Sequence, residues 1–411
     1  MKPLDGVFAI SSLAALAFSS LAAESDKPAV GSDRVWCRLD VPAGENCFAL
    51  TFDPANPQRA LLGTRPGSLW ESLDGGRTFA RKETAIESTA SHGVNAGGIA
   101  RHPRVPGLWF FGHEKFGAFR SRDDGATWTM VNEGLPRYFD RHGICFAFDR
   151  EQDATVYYGA DGGLFKSTDC GDHWVKCTQG LPSGKSRDKF GNTTVNNLVT
   201  HPITGAVYAG FYAVGYAEVP GIYRSTDHGA TWACINHNFD GGVDQQASAA
   251  LIRKLKEINK EKASAELNAD YEKVLKGEPL DGGFMKGWTF DLKMAATNPD
   301  LLFAATSNVL IKSTDAGESW RTCATVQHPR AVAIHPQDPQ IVVASGTYQV
   351  WLTRDGGTNW ADVTRDLGNP PADAPQNVPH TQFLTFDPAG QQIYALGTGG
   401  VWVARLEEFQ P

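Results

Sequence analysis

Residues 225–232 read STDHGATW, and five near-copies of this segment occur elsewhere in the chain. The copies are SLDGGRTF at 72–79, SRDDGATW at 121–128, STDCGDHW at 167–174, STDAGESW at 313–320 and TRDGGTNW at 353–360. We call the shared pattern, S/T-x-D-x-G-x-x-W/F, the box. An enzyme needs a catalytic aspartate once or twice, whereas this aspartate recurs at equivalent positions. The box is therefore predicted to be a structural turn whose carboxylate accepts backbone N–H groups and whose aromatic ring packs between sheets.

Seven similar runs of short strands organise the chain, and six of them lead into a box. Each run has an apolar strand, a turn that usually contains Asp-Pro, His-Pro or Asn-Pro, a second strand, a small turn and a third strand. The last run, QFLTFDPAGQQIYALGT from Gln382, has no box, and residues 34–42 (RVWCRLDVP) resemble the strand that follows a box. The repeat predicts an all-β seven-bladed β-propeller over residues 32–411, closed by this N-terminal strand in blade 7.

Residues 1–23 are predicted to be a signal peptide, because an apolar stretch is followed by small residues before a cleavage point near Ala22 or Ala23. The alternative is an uncleaved anchor, which the short stretch and the lack of a basic flank disfavour. Cleavage would leave no membrane span and would place the protein in the periplasm or outside the cell.

Residues 240–285 interrupt the repeat between the fourth and fifth runs. Leu251, Ile252, Leu255 and Ile258 recur at helical spacing, which predicts a helical insertion between blades 4 and 5. Its charged face is either a solvated surface or a lid or docking arm for a protein partner.

The formal charge of −8 argues against nucleic acid as a partner, since such proteins carry a basic face. The seven cysteines include no C-x-x-C pair. Cys170 and Cys177 flank one hairpin turn and are the first candidates for a disulfide, although the connectivity is not readable from sequence. Neither a metal nor a cofactor is predicted, because none of the common hydrolase, nucleotide-binding or zinc motifs is present.

The strand order predicts two unlike ends of the propeller. The box face carries the boxes and the X-Pro turns, whose histidines are therefore predicted to be structural. The crossing face carries the blade-to-blade crossings and the turns between second and third strands. The crossings are expected to end around the channel mouth at or beside Glu45, Asn95, His142, Asn196, Lys286, Arg330 and His380.

The crossing face holds the candidate site residues, which include acid–base groups, cations and rings suited to sugars. The alternative for each of them is a polar, solvated surface. The candidate catalytic residues, densest on blades 2 and 3, are His113, Glu114, Asp140, His142 and Asp161. The candidate substrate-binding residues are Tyr138, Arg141, Tyr212, Tyr216, Trp288, Tyr348 and His380.

The boxes and their strands cover most of residues 48–408 and resemble the Asp-boxes of the BNR-repeat β-propellers. The cadence of residues 53–79 is similar to xyloglucanase-type glycoside hydrolases, and the single ring of seven units resembles the photosystem II assembly factors. Sialidases differ, since they have six blades and an R-I-P motif. The xyloglucanase-type hydrolases carry an aspartate in the turn where this chain has TRPGS at 64–68. In this chain Asp161 has a comparable setting, in another blade.

The resemblance implies a secreted or periplasmic carbohydrate-active propeller, a glycoside hydrolase or lyase acting on a polysaccharide or glycan at the channel mouth. The alternative is a non-catalytic scaffold or assembly factor that binds glycan or protein.

Overall fold

The description rests on a computed structural model. It covers residues 35–39, 41, 46–65, 68–82, 94–113, 116–136, 145–182, 193–213, 221–235, 289–306, 309–323, 326, 329–346, 349–365, 367, 381–397 and 400–409. The predicted signal peptide and the predicted helical insertion lie outside these residues.

The described residues form seven antiparallel four-stranded sheets, which confirms the predicted all-β seven-bladed β-propeller. The strands are β1 (Cys37–Arg38), β2 (Asn46–Asp53), β3 (Asn56–Arg65), β4 (Leu69–Ser72), β5 (Ala80–Lys82), β6 (Val94–Arg101), β7 (Trp109–His113), β8 (Gly117–Ser121), β9 (Thr129–Met130), β10 (Cys145–Phe148), β11 (Val156–Ala160), β12 (Gly163–Ser167), β13 (Val175–Lys176), β14 (Thr193–Thr200), β15 (Val207–Ala213), β16 (Ile222–Ser225), β17 (Ala233–Cys234), β18 (Thr289–Met294), β19 (Leu302–Thr306), β20 (Leu310–Ser313), β21 (Arg321–Thr322), β22 (Ala331–Ile334), β23 (Val342–Ser345), β24 (Val350–Thr353), β25 (Ala361–Asp362), β26 (Thr381–Phe386), β27 (Gln392–Gly397) and β28 (Gly400–Arg405).

Blades 1 to 6 each take four consecutive strands, beginning at β2, β6, β10, β14, β18 and β22. Blade 7 has the order β1-β28-β27-β26, so both ends of the described chain meet in one sheet. A single 3-10 turn, Leu406–Phe409, follows β28. In the described part of the chain, no helix has the length and apolar character needed to cross a membrane.

The first strands of the blades line a central channel. Each contacts the first strand of the next blade, and β26 contacts β2, which closes the ring. Every first strand runs from the crossing face to the box face, because the boxes join third to fourth strands.

The hydrophobic core lies between adjacent blades. Seven buried clusters among the described residues correspond to the seven blade pairs. Each box aromatic packs against the preceding blade; for example, the indole N–H of Trp174 donates to the carbonyl of Val131 at 2.8 Å, and that of Trp320 to Ile235 at 3.0 Å. The box therefore connects blades as well as strands.

Every box has the same internal hydrogen bonds. In the fourth, the Ser225 hydroxyl donates to Asp227 at 2.8 Å and accepts the Gly229 N–H at 2.8 Å. The Asp227 carboxylate also accepts the N–H and hydroxyl of Thr231. These bonds satisfy donors that the turn would otherwise leave unpaired.

A series of bonds between blades ends on the residue after each box aspartate. This residue has positive φ, which presents its carbonyl to the preceding blade. Basic or tyrosine side chains of the preceding blade donate to it: Tyr394 to Gly75, Arg59 to Asp124, Arg120 to Cys170, Lys166 to His228, Arg224 to Ala316 and Lys312 to Gly356. Four of these donors directly precede a box serine, a recurrence visible in the sequence that the box pattern omits.

The X-Pro histidines hold turns on the box face. Nδ1 of His102 accepts the N–H groups of Arg104 and Val105 at 3.1 and 2.9 Å. Asp149 stabilises the equivalent turn in blade 3, where one of its carboxylate oxygens accepts the N–H groups of Glu151 and Gln152. His and Asp are interchangeable here because both offer an acceptor at the same distance from the backbone.

The expected disulfide between Cys170 and Cys177 is wrong, since both thiols are free. Cys170 packs into the cluster between blades 2 and 3, whereas Cys177 packs into the cluster between blades 3 and 4. The two side chains therefore lie on opposite faces of the same sheet, a separation that their closeness in sequence does not reveal.

Acid should weaken the boxes. Hydrogen bonds from the side chain and backbone of Thr127 hold the pKa of Asp123 at about 2, against an ordinary 3.8. A depressed pKa stabilises the fold above the ordinary value, and this contribution is lost as the pH falls through about 4 towards 2. We expect Asp123→Asn to melt below the wild type at about pH 5, with the gap closing near pH 2 in thermal melts. A gap that stays constant would contradict this role.

Candidate ligand site at the channel mouth

The structure describes three of the twelve candidate site residues: His113, Asp161 and Tyr212. The remaining candidates lie outside the described residues: Glu114, Tyr138, Asp140, Arg141, His142, Tyr216, Trp288, Tyr348 and His380. They therefore stay predictions.

His113 ends β7 and is buried, with 1% of its surface exposed. Its Nδ1 accepts the N–H of Phe116 at 3.3 Å, and the two rings lie 4.8 Å apart. This geometry holds the turn between β7 and β8 and directs one ring nitrogen into the backbone.

Asp161 lies in the turn between β11 and β12 and is 6% exposed. The hydroxyl of Thr194, in the first strand of the next blade, donates to its carboxylate. Asp161 thus bridges blades 3 and 4 at the crossing face, and its orientation is fixed by a side chain far away in sequence.

Tyr212 lies near the end of β15, and its ring packs on Phe290 at 5.8 Å between centroids. Burial raises the pKa of the Tyr212 hydroxyl; the positive charge of Arg330 opposes this rise and the negative charge of Asp161 adds to it. The phenol therefore stays protonated at neutral pH and is available as a hydrogen-bond donor or acceptor. Thr194, which donates to Asp161, is the cross-strand partner of Tyr212, so Asp161 lies close to the end of β15.

Phe290 connects the tyrosine to a cation. The guanidinium carbon of Arg330 lies 4.2 Å from the Phe290 ring centroid, within the range of a cation–π contact. The Arg330 N–H donates to Ser345 at 2.8 Å, which ties its backbone to β23. Arg330 itself is exposed and forms no ion pair with any described carboxylate.

A β-bulge sets the position of Phe290. The pairing of β18 with β19 shifts register between Thr289 and Asp291, so Phe290 is an extra residue on its strand. Bulges re-aim side chains, and the first strands of blades 1, 4 and 7 have the same one-residue register shift. The Asn197 side-chain amide in blade 4 donates to the Phe290 carbonyl at 3.0 Å and supports the irregular backbone.

The nearby Asp291 is fully engaged. Its carboxylate accepts the Lys293 ammonium at 2.7 Å and the N–H groups of Leu292 and Val332 at 2.9 and 3.0 Å. Lys293 also lies 5.5 Å from the Phe383 ring of blade 7. The charge of Asp291 is thus compensated inside the channel.

Asp161, Tyr212, Phe290 and Arg330 form a group that we call the mouth row, contributed by blades 3 to 6. It offers a carboxylate, two aromatic rings and an exposed cation. Such a set recognises a ligand that has a flat apolar face together with polar or charged substituents. Within the described residues, no cluster of three or more His, Cys, Asp or Glu side chains is suited to a metal ion.

Sequence reasoning identified Asp161 and Tyr212 and placed Arg330 at the mouth, but it missed Phe290. That ring reads as an ordinary strand residue in TFDLK, because its exposure depends on the bulge. Only the pairing of β18 with β19 reveals it.

No protein-family model matches the chain. A curated relative, a probable oligoxyloglucan-reducing end-specific xyloglucanase of Neosartorya fischeri, is 31% identical over 147 residues, which cover 32% of this chain and 18% of that protein. The chain thus spans less than a fifth of that relative's length.

Two solved structures show the same fold. The GH74 xyloglucanase of Xanthomonas campestris matches with a TM-score of 0.63 and 18% identity over 91% of this chain and 54% of that chain. YCF48 bound to D1 peptide matches with a TM-score of 0.54 and 13% identity over 91% of this chain and 97% of that chain. The resemblance read from the sequence is confirmed: the chain is similar to xyloglucanase and YCF48 propellers.

Proposed function

We propose that the protein is an exported carbohydrate-active propeller that binds a polysaccharide or glycan at the mouth row. The observation that carries the proposal is the contact between the Tyr212 and Phe290 rings, with the exposed Arg330 cation beside Phe290. The Asp161 carboxylate is oriented by Thr194, the cross-strand partner of Tyr212. A pyranose ring has an apolar face that packs on aromatic rings and hydroxyl groups that need polar partners at its edge. The similarity to xyloglucanases supports the same ligand class.

Asp161 is the acid–base candidate of this site. Glycosidases of the common type use two carboxyl groups on either side of the scissile bond, about 5–10 Å apart. Asp161 supplies one such group, whose orientation Thr194 fixes. In the proposal Asp140 or Glu114 supplies the second carboxyl group, and a lyase would use one of these residues or His142 to remove a proton.

The second candidate function is a non-catalytic scaffold. It is favoured by the similarity to YCF48, which extends over 97% of that protein, whereas the xyloglucanase structure is only 54% covered. In this case the mouth row binds a glycan or a peptide without chemistry.

A glycan array combined with a reducing-sugar assay on the wild-type protein tests the proposal. Binding with release of reducing ends supports a hydrolase, binding with new unsaturated ends supports a lyase, and binding alone supports the scaffold. The absence of any glycan binding would sink the carbohydrate proposal.

Replacing Tyr212 with alanine should weaken glycan binding by about tenfold or more, because it removes the stacking face and a polar group together. The free energy of unfolding should change less than the affinity for glycan, since Tyr212 is only half-buried. Ile203→Ala, at an exposed position on the box face, is the control and should bind as the wild type does. Equal affinity of all three proteins in calorimetric titration would remove the mouth row from the proposal.

A further inference from the structure

We infer that the ligand of the mouth row is an acidic glycan, and that Arg330 recognises the carboxylate of a uronic acid residue. This inference rests on the proposed function and specifies the substrate class.

The Arg330 guanidinium is positioned to bind an anion. The guanidinium carbon lies 4.2 Å from the Phe290 ring centroid, while the residue remains exposed. An arginine held against a ring loses little further conformational freedom when it forms hydrogen bonds. Its planar N–H groups match a carboxylate, and no described carboxylate takes that place.

The acidic residue nearest to Phe290 in sequence is neutralised by its own partners. Asp291 follows Phe290 and would repel an anionic ligand if its charge were free. Lys293 pairs with it at 2.7 Å, and two backbone N–H groups complete its hydrogen bonding. Asp291 therefore does not cancel the positive charge of Arg330.

The groups near the two rings carry opposite charges. Arg330 lies beside Phe290, whereas Asp161 accepts the hydroxyl of Thr194, the cross-strand partner of Tyr212. A uronate residue has its carboxylate on one side of the ring and hydroxyl groups on the others. When the carboxylate of the uronate binds Arg330, the apolar face of the sugar meets the two aromatic rings. The sugar hydroxyl groups then approach Asp161, whose side chain accepts hydrogen bonds. A neutral sugar leaves the guanidinium without an anion.

The test uses the full chain and a panel of oligogalacturonate, oligomannuronate and oligoglucuronate, each beside its carboxyl-reduced form. We expect the wild type to bind at least one acidic oligomer about ten- to a hundredfold more tightly than its reduced form, as for a hydrogen bond to a charged group. Arg330→Gln should lose that preference without a change in melting temperature, because the side chain is exposed. Arg330→Lys should restore part of it, and added salt should weaken acidic binding.

Arg81→Gln is the matched control, since Arg81 is an exposed arginine on the outer strand β5. It should keep the wild-type preference. Tight binding of reduced or other neutral glycans with no preference for acid overturns the inference while the proposed function stands. Binding of no glycan, acidic or neutral, overturns both.

Discussion

Replacing Trp36 with alanine is expected to lower the free energy of unfolding by about 3–5 kcal/mol, the usual cost of deleting a buried Trp ring. Trp36 is 2% exposed and lies just before β1. Its indole N–H donates to the carbonyl of Val363 in blade 6 at 2.9 Å, and its ring lies 5.7 Å from Phe409 after β28. The substitution opens a cavity between blades 6 and 7 and leaves a buried carbonyl unpaired. Denaturant unfolding measures the effect.

Cys37→Ser is the control for this variant, because Cys37 is exposed on β1 and its backbone pairs with Val403. It should unfold as the wild type does. Deleting residues 35–41 should go further and leave β28 as an open edge, with aggregation as the outcome. If the deletion protein keeps the wild-type melting temperature, the two chain ends do not close the ring in solution.

Replacing Gly180 with alanine is expected to destabilise the fold by at least about 3 kcal/mol. Gly180 has φ +78°, where a Cβ costs about 1–2 kcal/mol. The added Cβ would also lie 1.9 Å from the carbonyl oxygen of Trp232 in the next blade. The backbone must then move apart and weaken the hydrogen bond from the Trp232 N–H to Gln179, now 3.0 Å long.

Gly205→Ala is the control that separates the cost of the positive φ from the cost of the steric clash. Gly205 has almost the same φ, +74°, but the nearest atom to its added Cβ is 3.8 Å away. This control should lower the free energy of unfolding only by the cost of a Cβ at positive φ, about 1–2 kcal/mol. Equal losses in the two variants, measured by denaturant unfolding, would show that the contact between Gly180 and Trp232 is not tight.

The sequence made the repeated parts of this molecule predictable. Seven strand runs and six boxes specify the blades, because each blade satisfies its own turn with local bonds such as Ser225 to Asp227. The contacts between blades are harder to predict from the sequence. The row of donors before the box serines, such as Arg120 and Lys166, was readable as a recurrence, but its acceptors lie in the next blade.

The mouth row was predictable in part. Asp161 and Tyr212 follow from strand order alone, since residues at the ends of second strands reach the crossing face. The partners that give them their environment, Thr194 and Phe290, belong to the next blades along the chain. A bulge decides the position of Phe290. Equivalent bulges recur in the first strands of blades 1, 4 and 7, but the alternation of apolar residues in the sequence does not signal them.

Hydroxyl-radical footprinting with the tightest-binding glycan tests directly whether the crossing face holds the ligand. Tyr212 and Phe290 are partly exposed there, and His173, with 71% of its side chain exposed, reports on the box face. We expect the glycan to protect Tyr212 and Phe290 from oxidation and to leave the oxidation of His173 unchanged. Protection of His173 with undiminished oxidation of Tyr212 and Phe290 would contradict it.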